Sequence, residues 1–435
     1  MVFTQSKTVT KDSLKQQSYM QDELYHSDEQ KKRTKSIVKN LWDMHPSCQI
    51  SVCIPAYRES GLIRNTLEHY TLNQITPKGT PLNPDFFEIN ILVNRPNEDS
   101  ERDTLMLDEI DAFQFQHPQY HINIAEVLYE FPKKAVIGTV FKDIVDAVII
   151  RNLSRKVSYE VKSRLIIRTA GADVEALNPF LLSRTMDIFS DKHIAAHRGE
   201  TRLPPQLLKS FPLLHVMQTF AIFLLRQYRG NQTTNGPFSY TAEAYSAVHG
   251  FNPDMILWEE VDLAQRILTY TEESQWDLSF LCDEVKDVLN NPRRQVHALF
   301  SGTGMAGRYQ KFGTSINEDS VHSMSTCWRS ISSETLPASC TLTPENLSRE
   351  ISGYYRTYLR IAKANNIPLE RIDVIFHRGF ELCGITEYTT HKSSFMQDNS
   401  IEICDIAWLL KHMDTQTFSW SEIFNSHQLL TKDIK

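Results

Sequence analysis

The chain lacks a CxxC pair, and its cysteines are odd in number and scattered along the sequence. Closely spaced cysteine pairs are typical of disulfide frameworks and structural zinc sites, so cysteine usage argues against both. Isolated thiols are typical of a reducing compartment, and we therefore expect a cytoplasmic protein. The seven cysteines are Cys48, Cys53, Cys282, Cys327, Cys340, Cys383 and Cys404.

Two glycine-rich nucleotide motifs are also missing. No predicted strand is followed by G-x-G-x-x-G, and no P-loop sequence occurs. These absences weaken dinucleotide-binding and ATP-hydrolysing functions. The net charge of −7 argues against a broad polybasic surface, so nucleic acid is not an expected partner.

Long apolar runs are scarce. The opening segment MVFTQSKTVTKDSLKQQ is polar from Thr4 onward and lacks the apolar core of a signal peptide, so we expect no secretion signal. The most apolar segment, FPLLHVMQTFAIFLL over residues 211–225, is interrupted by His215 and Gln218. It is shorter than the roughly 20 residues that a bilayer requires. We predict a buried or groove-lining helix there and no transmembrane segment, with peripheral membrane contact left open.

What the sequence does contain is an alternation of apolar and amphipathic segments. The predicted strands QISVCIP, FEINILVN, YHINIAEVLY and SRLIIRTAG alternate with helical segments such as ESGLIRNTLEHYTLNQ and VFKDIVDAVIIR. This alternation predicts an α/β fold with a mixed, largely parallel sheet. We divide the chain into a polar, helical N-terminal arm (1–46), a main domain (47–300) and a mainly helical C-terminal extension (301–435).

Polar residues follow three of the predicted strands, where parallel sheets bind ligands. The loop PAYRES has Tyr57, which could stack on a base or pack in the core. The loop NRPNEDS begins with Asn94, which could bind a base edge or act as a cap. The loop TAGADVE has Asp173, which suits a hard divalent cation bridging ligand phosphates, or an ordinary solvated turn.

An acidic helix start lies further along the chain. The segment ILWEEVDLAQRI places Glu259, Glu260 and Asp262 in the first turn of a predicted helix. A carboxylate fixed there can accept a proton from an attacking hydroxyl, which is the role of a general base. On this segment alone, the more ordinary interpretation is that the acids stabilise the helix N-terminus through its dipole.

Basic residues and a histidine provide two further candidates. In NNPRRQVHALF, Arg293 and Arg294 could bind phosphate, and His297 could complete a metal site, although a single histidine is more often structural. Lys134 could neutralise phosphate, although paired lysines usually lie in solvent.

The order of these segments from about Gln49 to Phe300 resembles the family 2 glycosyltransferases of the GT-A fold. SVCIPAYRESGLIRNTL resembles the opening strand and helix of that family. NGPFSYTAEAYSAVHGFNPDMILWEEVDLAQRI resembles its acceptor-side signature, which joins a Gly-containing segment, a helix ending in Gly-Gly-Phe or a variant, and Glu-Asp-x-Asp-Leu. The resemblance covers somewhat more than half of the chain.

The resemblance implies an enzyme that transfers a sugar from a nucleotide-diphosphate sugar, with UDP favoured, to an unidentified hydroxyl acceptor. Glycan, lipid-linked, small-molecule and protein acceptors all stay open. It also implies a Mn2+ or Mg2+ cofactor and inversion of stereochemistry with Glu260 as the catalytic base. The implied donor-site residues are Pro55, Ala56, Tyr57, Glu59, Asn94, Lys134, Ala172, Asp173, Arg293 and Arg294. The implied acceptor-side residues are Asn235, Gly236, Trp258 and Glu259, and the implied metal ligands are Asp173 and His297.

The sequence departs from the family pattern at three positions. Gly171 replaces the first acid of Asp-x-Asp, Phe141 replaces a basic residue, and Glu260 replaces the commoner Asp.

Two alternatives therefore stay open. A sugar nucleotidyltransferase would be expected to have a Gly-rich, Arg-containing loop where PAYRES stands. A non-catalytic nucleotide-sugar-binding protein would account for the lost acid.

Overall fold

The structure is a computed structural model. It describes residues 11–22, 26–96, 103–129, 137–161, 163–218, 220, 238–255, 259–274, 277–302, 318–332, 334–343, 345–347, 349–351, 353–355, 387–388 and 401–402. By its contacts the chain divides into two units. The first comprises Met1–Pro204, Arg229–Pro292 and Phe312–Ser325, and the second comprises Pro205–Tyr228, Arg293–Lys311 and Thr326–Lys435.

The first unit is built on an eight-stranded sheet with the order β3-β2-β1-β4-β7-β6-β8-β5. Its strands are β1 (Ile50–Ala56), β2 (Phe87–Pro96), β3 (His121–Tyr129), β4 (Ile166–Thr169), β5 (Val174–Leu177), β6 (Ile194–Arg202), β7 (Phe238–Thr241) and β8 (Ser279–Asn290). Four of the seven neighbouring pairs are parallel and three are antiparallel. The predicted α/β class with a mixed, largely parallel sheet is therefore confirmed.

Strand β1 is buried on both faces because helices cover the sheet on both sides. Ile50, Val52 and Ile54 belong to one buried cluster, which also includes residues of α3 (Ile63–Tyr70), α4 (Thr104–Gln116) and α6 (Leu181–Ser190). Cys53 points the other way, into a cluster built with α5 (Ile137–Tyr159), α8 (Ala242–Ala247) and α9 (Glu259–Glu273). The alternation of side chains along one strand thus fills two cores.

The described part of the predicted N-terminal arm contributes to the second of these cores. It forms α1 (Lys11–Gln21) and α2 (Asp28–Asn40), and both Tyr19 and Ile37 are buried in the cluster around α5. Two buried aspartates of α5 also bind the arm. Asp146 accepts a hydrogen bond from the Tyr19 hydroxyl (2.9 Å), and Asp143 accepts one from Arg33 Nε (2.6 Å). Charged hydrogen bonds as well as apolar contacts therefore hold α1 and α2 to α5.

The second unit includes α7 (Pro205–Ser210), α10 (Arg293–Phe300) and a helical stretch over residues 212–218. Phe211, Leu213, Leu214 and Met217 are completely buried, so the predicted buried helix is confirmed for its described residues. Residues 219 and 221–225 of that prediction lie outside the described part. Among the helices described, none is long and apolar enough to cross a membrane.

The predicted C-terminal extension lies mainly outside the described residues. Its described part includes α11 (Glu318–Cys327) and the antiparallel pair β9 (Glu387–Tyr388) and β10 (Ile401–Glu402).

We expect Arg33→Met to lower the free energy of unfolding by about 3–5 kcal/mol, because it leaves the buried Asp143 carboxylate without its guanidinium partner. Burial raises the pKa of Asp143 to about 6. The loss should therefore be largest above that pH and should shrink below it, where Asp143 binds a proton. Urea denaturation across this pH range measures both effects.

Glu29→Ala is the matched control, because Glu29 forms an exposed ion pair with the same arginine (3.0 Å). Exposed pairs contribute less than about 1 kcal/mol. Equal losses in the two variants would contradict the assigned role of Asp143.

Candidate functional site

The loop after β1 begins where the resemblance places the nucleoside. Pro55 and Ala56 are the last residues of the strand, and Tyr57 is half-buried just beyond them. Arg58 has a positive φ of 53°, and its guanidinium carbon lies 5.4 Å from the centre of the Tyr57 ring. Glu59 is buried, and its backbone carbonyl accepts two amide hydrogen bonds (both 3.0 Å) at the start of α3. The turn into α3 thus fixes this loop from its far end.

Asn94 lies beside this loop. It belongs to β2, which continues to Pro96, whereas the sequence predicted that the strand ends at Asn94 itself. Ala56 pairs with Val93 in the parallel ladder, so Asn94 lies at the next level of the sheet, close to Tyr57. The half-buried Asn94 side chain and the Tyr57 ring are therefore both at the carboxyl edge.

The turn that carries Asp173 is held by α3. The Thr66 hydroxyl donates to the Ala172 carbonyl (2.7 Å) and accepts from the Val174 amide (3.0 Å). Asn65 Nδ2 donates to the Val174 carbonyl (2.6 Å). These bonds fix the backbone on both sides of Asp173, so the helix that follows the first strand also positions the turn that follows the fourth.

Gly171 shapes the space around the Asp173 carboxylate. A Cβ atom at position 171 would lie only 2.8 Å from Asp173 Oδ1, which is closer than carbon and oxygen normally approach. The Asp173 carboxylate therefore occupies the space that a side chain at position 171 would need.

Glu260 lies next to the end of β4. The Thr169 hydroxyl, at the last residue of that strand, donates to Glu260 Oε1 (2.5 Å). Asp173 follows Thr169 by four residues, so their Cα atoms are at most about 14 Å apart. The first turn of α9 and the Asp173 turn are thus at the same edge of the sheet. Glu259 is the first residue of α9, and both glutamates are half-buried.

The segment before α9 is supported by the start of α5. The Gly138 amide donates to the Met255 carbonyl (3.0 Å), and the Thr139 hydroxyl donates to the Pro253 carbonyl (2.7 Å). A Cβ atom at position 138 would lie 2.3 Å from the Asn252 carbonyl oxygen. Only glycine allows this close approach. The start of α5 therefore fixes the backbone of residues 252–255, which directly precede the undescribed residues 256–258.

The side chains after Gly138 serve the core rather than a ligand. Phe141 is buried and stacks on Phe251 (ring centres 5.2 Å apart). The next residue, Lys142, is also buried, with Nζ 3.6 Å from Asp146 Oδ2. Burial lowers the pKa of Lys142. Lys142 therefore forms a buried ion pair with Asp146 within α5.

The other predicted site residues lie on α10 or outside the described residues, and the amide of Asn291, two residues before α10, donates to the Asp173 carbonyl (2.9 Å). Arg293, Arg294 and His297 lie on α10 of the second unit, where Arg293 is buried and the other two are half-buried. Their roles toward phosphate and metal stay predictions. Lys134, Asn235, Gly236 and Trp258 lie outside the described residues.

Three residues that sequence reasoning missed have structural roles at this edge, namely Asn65, Thr66 and Thr169. Asn65 and Thr66 belong to an amphipathic helix, where polar residues are ordinary and give no signal of a tertiary contact. Thr169 ends an apolar strand just before the acidic turn, and that position was the one available indication.

Asp173, at this edge, fits a hard divalent cation that is bound mainly by the phosphates of a substrate. Magnesium is commonly bound through one or two carboxylates together with substrate phosphates. Asp173 can supply one such carboxylate, half-buried on a backbone turn fixed by α3. Its oxygens match the ligand preference of Mg2+ and Mn2+.

Comparisons with known proteins add structural similarity at low identity. No protein-family model matches the chain, and no curated protein matches it. Similar solved structures include a mannosyltransferase from Pyrobaculum calidifontis in complex with GDP-Man and Mn2+ (11% identity, TM-score 0.38, covering 84% of this chain and 97% of that one). They also include glucosyl-3-phosphoglycerate synthase from Mycobacterium tuberculosis in complex with Mn2+, UDP and phosphoglyceric acid (13% identity, TM-score 0.33, covering 64% and 84%). Similarity at this level identifies neither a donor nor an acceptor for this chain.

We expect Thr66→Val to lower the free energy of unfolding by about 1–3 kcal/mol, because the buried Val174 amide loses its acceptor. Thr71→Val is the control. Thr71 is a second buried threonine, just after α3. Its hydroxyl donates to the Leu67 carbonyl (2.6 Å), and the Thr71 backbone amide donates to that same carbonyl. The control should lose less than about 1 kcal/mol. Equal losses in urea denaturation would contradict a special role for Thr66.

Proposed function

We propose that the chain is a GT-A glycosyltransferase that transfers a sugar from a nucleotide-diphosphate sugar to a hydroxyl acceptor. The hydrogen bond from Thr169 to Glu260 carries this proposal. It joins the acidic helix start to the strand that leads into the Asp173 turn, at the edge where parallel sheets bind ligands. The order of motifs that resembles family 2 supports the same reading.

The nucleoside is proposed to bind at the end of β1. Tyr57 offers an aromatic face beside the buried Glu59, and Asn94 offers an amide at the adjacent strand. Pro55 and Ala56 provide the floor of this site. The Asn94 amide can both donate to and accept from a base edge, and the family resemblance favours UDP.

The diphosphate is proposed to bind at the Ala172–Asp173 turn. Asp173 would hold Mn2+ or Mg2+ together with the diphosphate oxygens, and the bound ion would offset the negative charge of the leaving group. Because α3 fixes the backbone on both sides of Asp173, the turn that carries this carboxylate needs no ordering by the donor. A preorganised charge is more effective than one that must be reoriented during the reaction.

Glu260 is proposed as the general base. The Thr169 hydroxyl occupies one lone pair of Oε1, which orients the carboxylate while leaving other lone pairs to accept a proton. The acceptor oxygen would form its bond to the anomeric carbon as the bond to the diphosphate breaks, and its proton would pass to Glu260. Attack from the side opposite the diphosphate inverts the anomeric centre. Glu259, Trp258, Asn235 and Gly236 are proposed to border the acceptor.

A second candidate is a nucleotide-sugar-binding protein without turnover. Gly171 favours it, because the first acid of the metal motif is missing and the space that its side chain would need is filled by the Asp173 carboxylate. Binding of a sugar nucleotide with no turnover in the presence of water or any acceptor would support this second candidate.

We expect Glu260→Gln to reduce donor turnover by about 10²- to 10⁴-fold, because the amide cannot accept the acceptor proton. Binding of the donor should be retained, since glutamine still accepts the Thr169 hydrogen bond. Calorimetry with UDP- and GDP-sugars, with and without Mn2+, measures binding, and release of nucleoside diphosphate measures turnover.

Asp262→Asn is the control for this experiment. Asp262 lies in the same helical turn but pairs with Arg266 (2.8 Å) rather than with Thr169. Its replacement should leave turnover within a few-fold of the unmodified protein. Unchanged turnover in Glu260→Gln would contradict the proposed base.

A further inference from the structure

We propose that His45, Asp85 and His121 form a second metal site, with Zn2+ as its occupant, at the amino edge of the sheet. One ligand atom from each of the three residues lies within 4.8 Å of the other two. They come from three separate places: His45 precedes β1, Asp85 lies in the 3₁₀ turn Pro84–Phe86 before β2, and His121 is the first residue of β3. The sheet therefore gathers these ligands at the starts of three adjacent strands.

The distances are close to those of a tetrahedral zinc site. His121 Nε2 is 3.1 Å and His45 Nε2 is 3.8 Å from Asp85 Oδ1. Ligand atoms at zinc bond lengths of about 2.0–2.1 Å in tetrahedral geometry are about 3.3 Å apart. The two imidazole rings lie nearly parallel, with centres 5.3 Å apart. Closing the site therefore requires the His45 and His121 rings to turn until both Nε2 atoms face one ion.

The backbone that carries His45 is held on both sides. Arg151 Nε donates to the Trp42 carbonyl (2.7 Å), and the Trp42 amide donates to Asn123 Oδ1 (3.0 Å). Arg155, which like Arg151 lies on α5 and is buried, donates to the Cys48 carbonyl. Residues 42–48 are thus tied to α5 and β3, so a metal would not have to order a loose segment.

The other two ligands are equally fixed. The Asp85 amide donates to Asn83 Oδ1 (3.0 Å), which caps the short turn. His121 pairs with Glu88 in the parallel ladder between β2 and β3. Ligands on preorganised backbone bind metal without a large ordering cost.

The chemistry of the ligand set selects a transition metal. Two imidazoles and one carboxylate suit Zn2+, whereas Mg2+ and Ca2+ prefer oxygen ligands alone. The His45, Asp85 and His121 side chains are 34%, 45% and 32% exposed. An ion can therefore enter from solvent, and a water molecule can complete the fourth position.

Binding exchanges two hydrogen bonds for metal bonds. His121 Nε2 is the hydrogen-bond partner of Asp85 Oδ1 (3.1 Å), and a zinc ion bound between the two atoms would replace that contact. The Ser47 amide donates to His45 Nδ1 (3.2 Å). When His45 binds zinc through Nε2, its imidazole proton is on Nδ1, so Nδ1 no longer accepts the hydrogen bond from the Ser47 amide. Both exchanged groups are at the protein surface, where water can satisfy them.

This site does not depend on the proposed function. The seven residues of β1 separate its start from Tyr57 and the proposed donor site, a distance of about 20 Å at the rise of a strand. Occupancy by zinc would join the starts of β1, β2 and β3. We therefore expect zinc to raise the thermal midpoint whether or not the chain is an enzyme.

The test is calorimetric titration of the untagged full chain with Zn2+, together with the visible absorption of bound Co2+. Cys282 and Cys327 are exposed thiols, so both are replaced by serine in every protein used. We expect one ion per chain, a tetrahedral Co2+ spectrum and a raised thermal midpoint. His121→Ala and Asp85→Asn should each weaken binding by at least about 100-fold, because even outer partners of metal ligands contribute about 10- to 100-fold.

His193→Ala is the matched control. His193 pairs with Asp277 (3.7 Å) as an exposed histidine and acid, but it is not part of a three-ligand cluster among the described residues. Its replacement should leave zinc affinity unchanged. Circular dichroism confirms that each variant is folded. The proposal is overturned by failure of the parent to bind one Zn2+ at micromolar concentration, or by folded His121→Ala and Asp85→Asn proteins that bind as tightly as the parent.

Discussion

The hydrogen bond between the Thr169 hydroxyl and the Glu260 carboxylate joins positions that are 91 residues apart in the chain. Thr169 belongs to a strand that pairs with the central strand β1, and Glu260 belongs to the first turn of a helix whose apolar side is buried. Their contact is the point at which the acidic helix start meets the carboxyl edge of the sheet. The contact brings the Glu260 carboxylate to the edge of the sheet at which the Asp173 turn also lies.

The long helix α5 supports much of what surrounds this contact. Its first turn holds residues 252–255, ahead of α9. Asp143 and Asp146, further along α5, accept hydrogen bonds from α2 and α1. Arg151 forms a buried ion pair with Glu88 (2.9 Å). Buried charges of this kind are destabilising unless they are fully paired. Their pairing therefore fixes one arrangement of α1, α2 and α5 against the sheet, and with it the amino edge that presents His45 and His121.

Sequence periodicity predicted the elements that are buried on one face or on both, such as β1, β2, β3 and α3, because apolar spacing directly reflects burial. It did not predict that α2 packs into the core. The helix reads DEQKKRTKSIVKN, and its buried face consists of Gln30, Thr34 and Ile37. Polar contacts with α5 replace the apolar stripe that pattern analysis detects. Strand β8 (SFLCDEVKDVLN) was missed for a similar reason, since its charged residues hide the alternation.

The candidate sites differ in how far the sequence reveals them. Glu260 and Asp173 stand out because each lies in an acidic cluster next to an apolar element, and that arrangement is visible in one dimension. The contacts that position them come from Thr66 and Thr169, and the zinc ligands are single residues from three segments. Such sets have no fixed spacing, so only the sheet register brings them together.

The most direct measurement is a crystal structure of the chain with an intact UDP-sugar and Mn2+. The account predicts the diphosphate and the ion beside Asp173, the base against Tyr57, and the anomeric carbon facing the Glu260 carboxylate. A donor bound elsewhere, or side chains of Asp173 and Glu260 that face away from a common ligand, would contradict it.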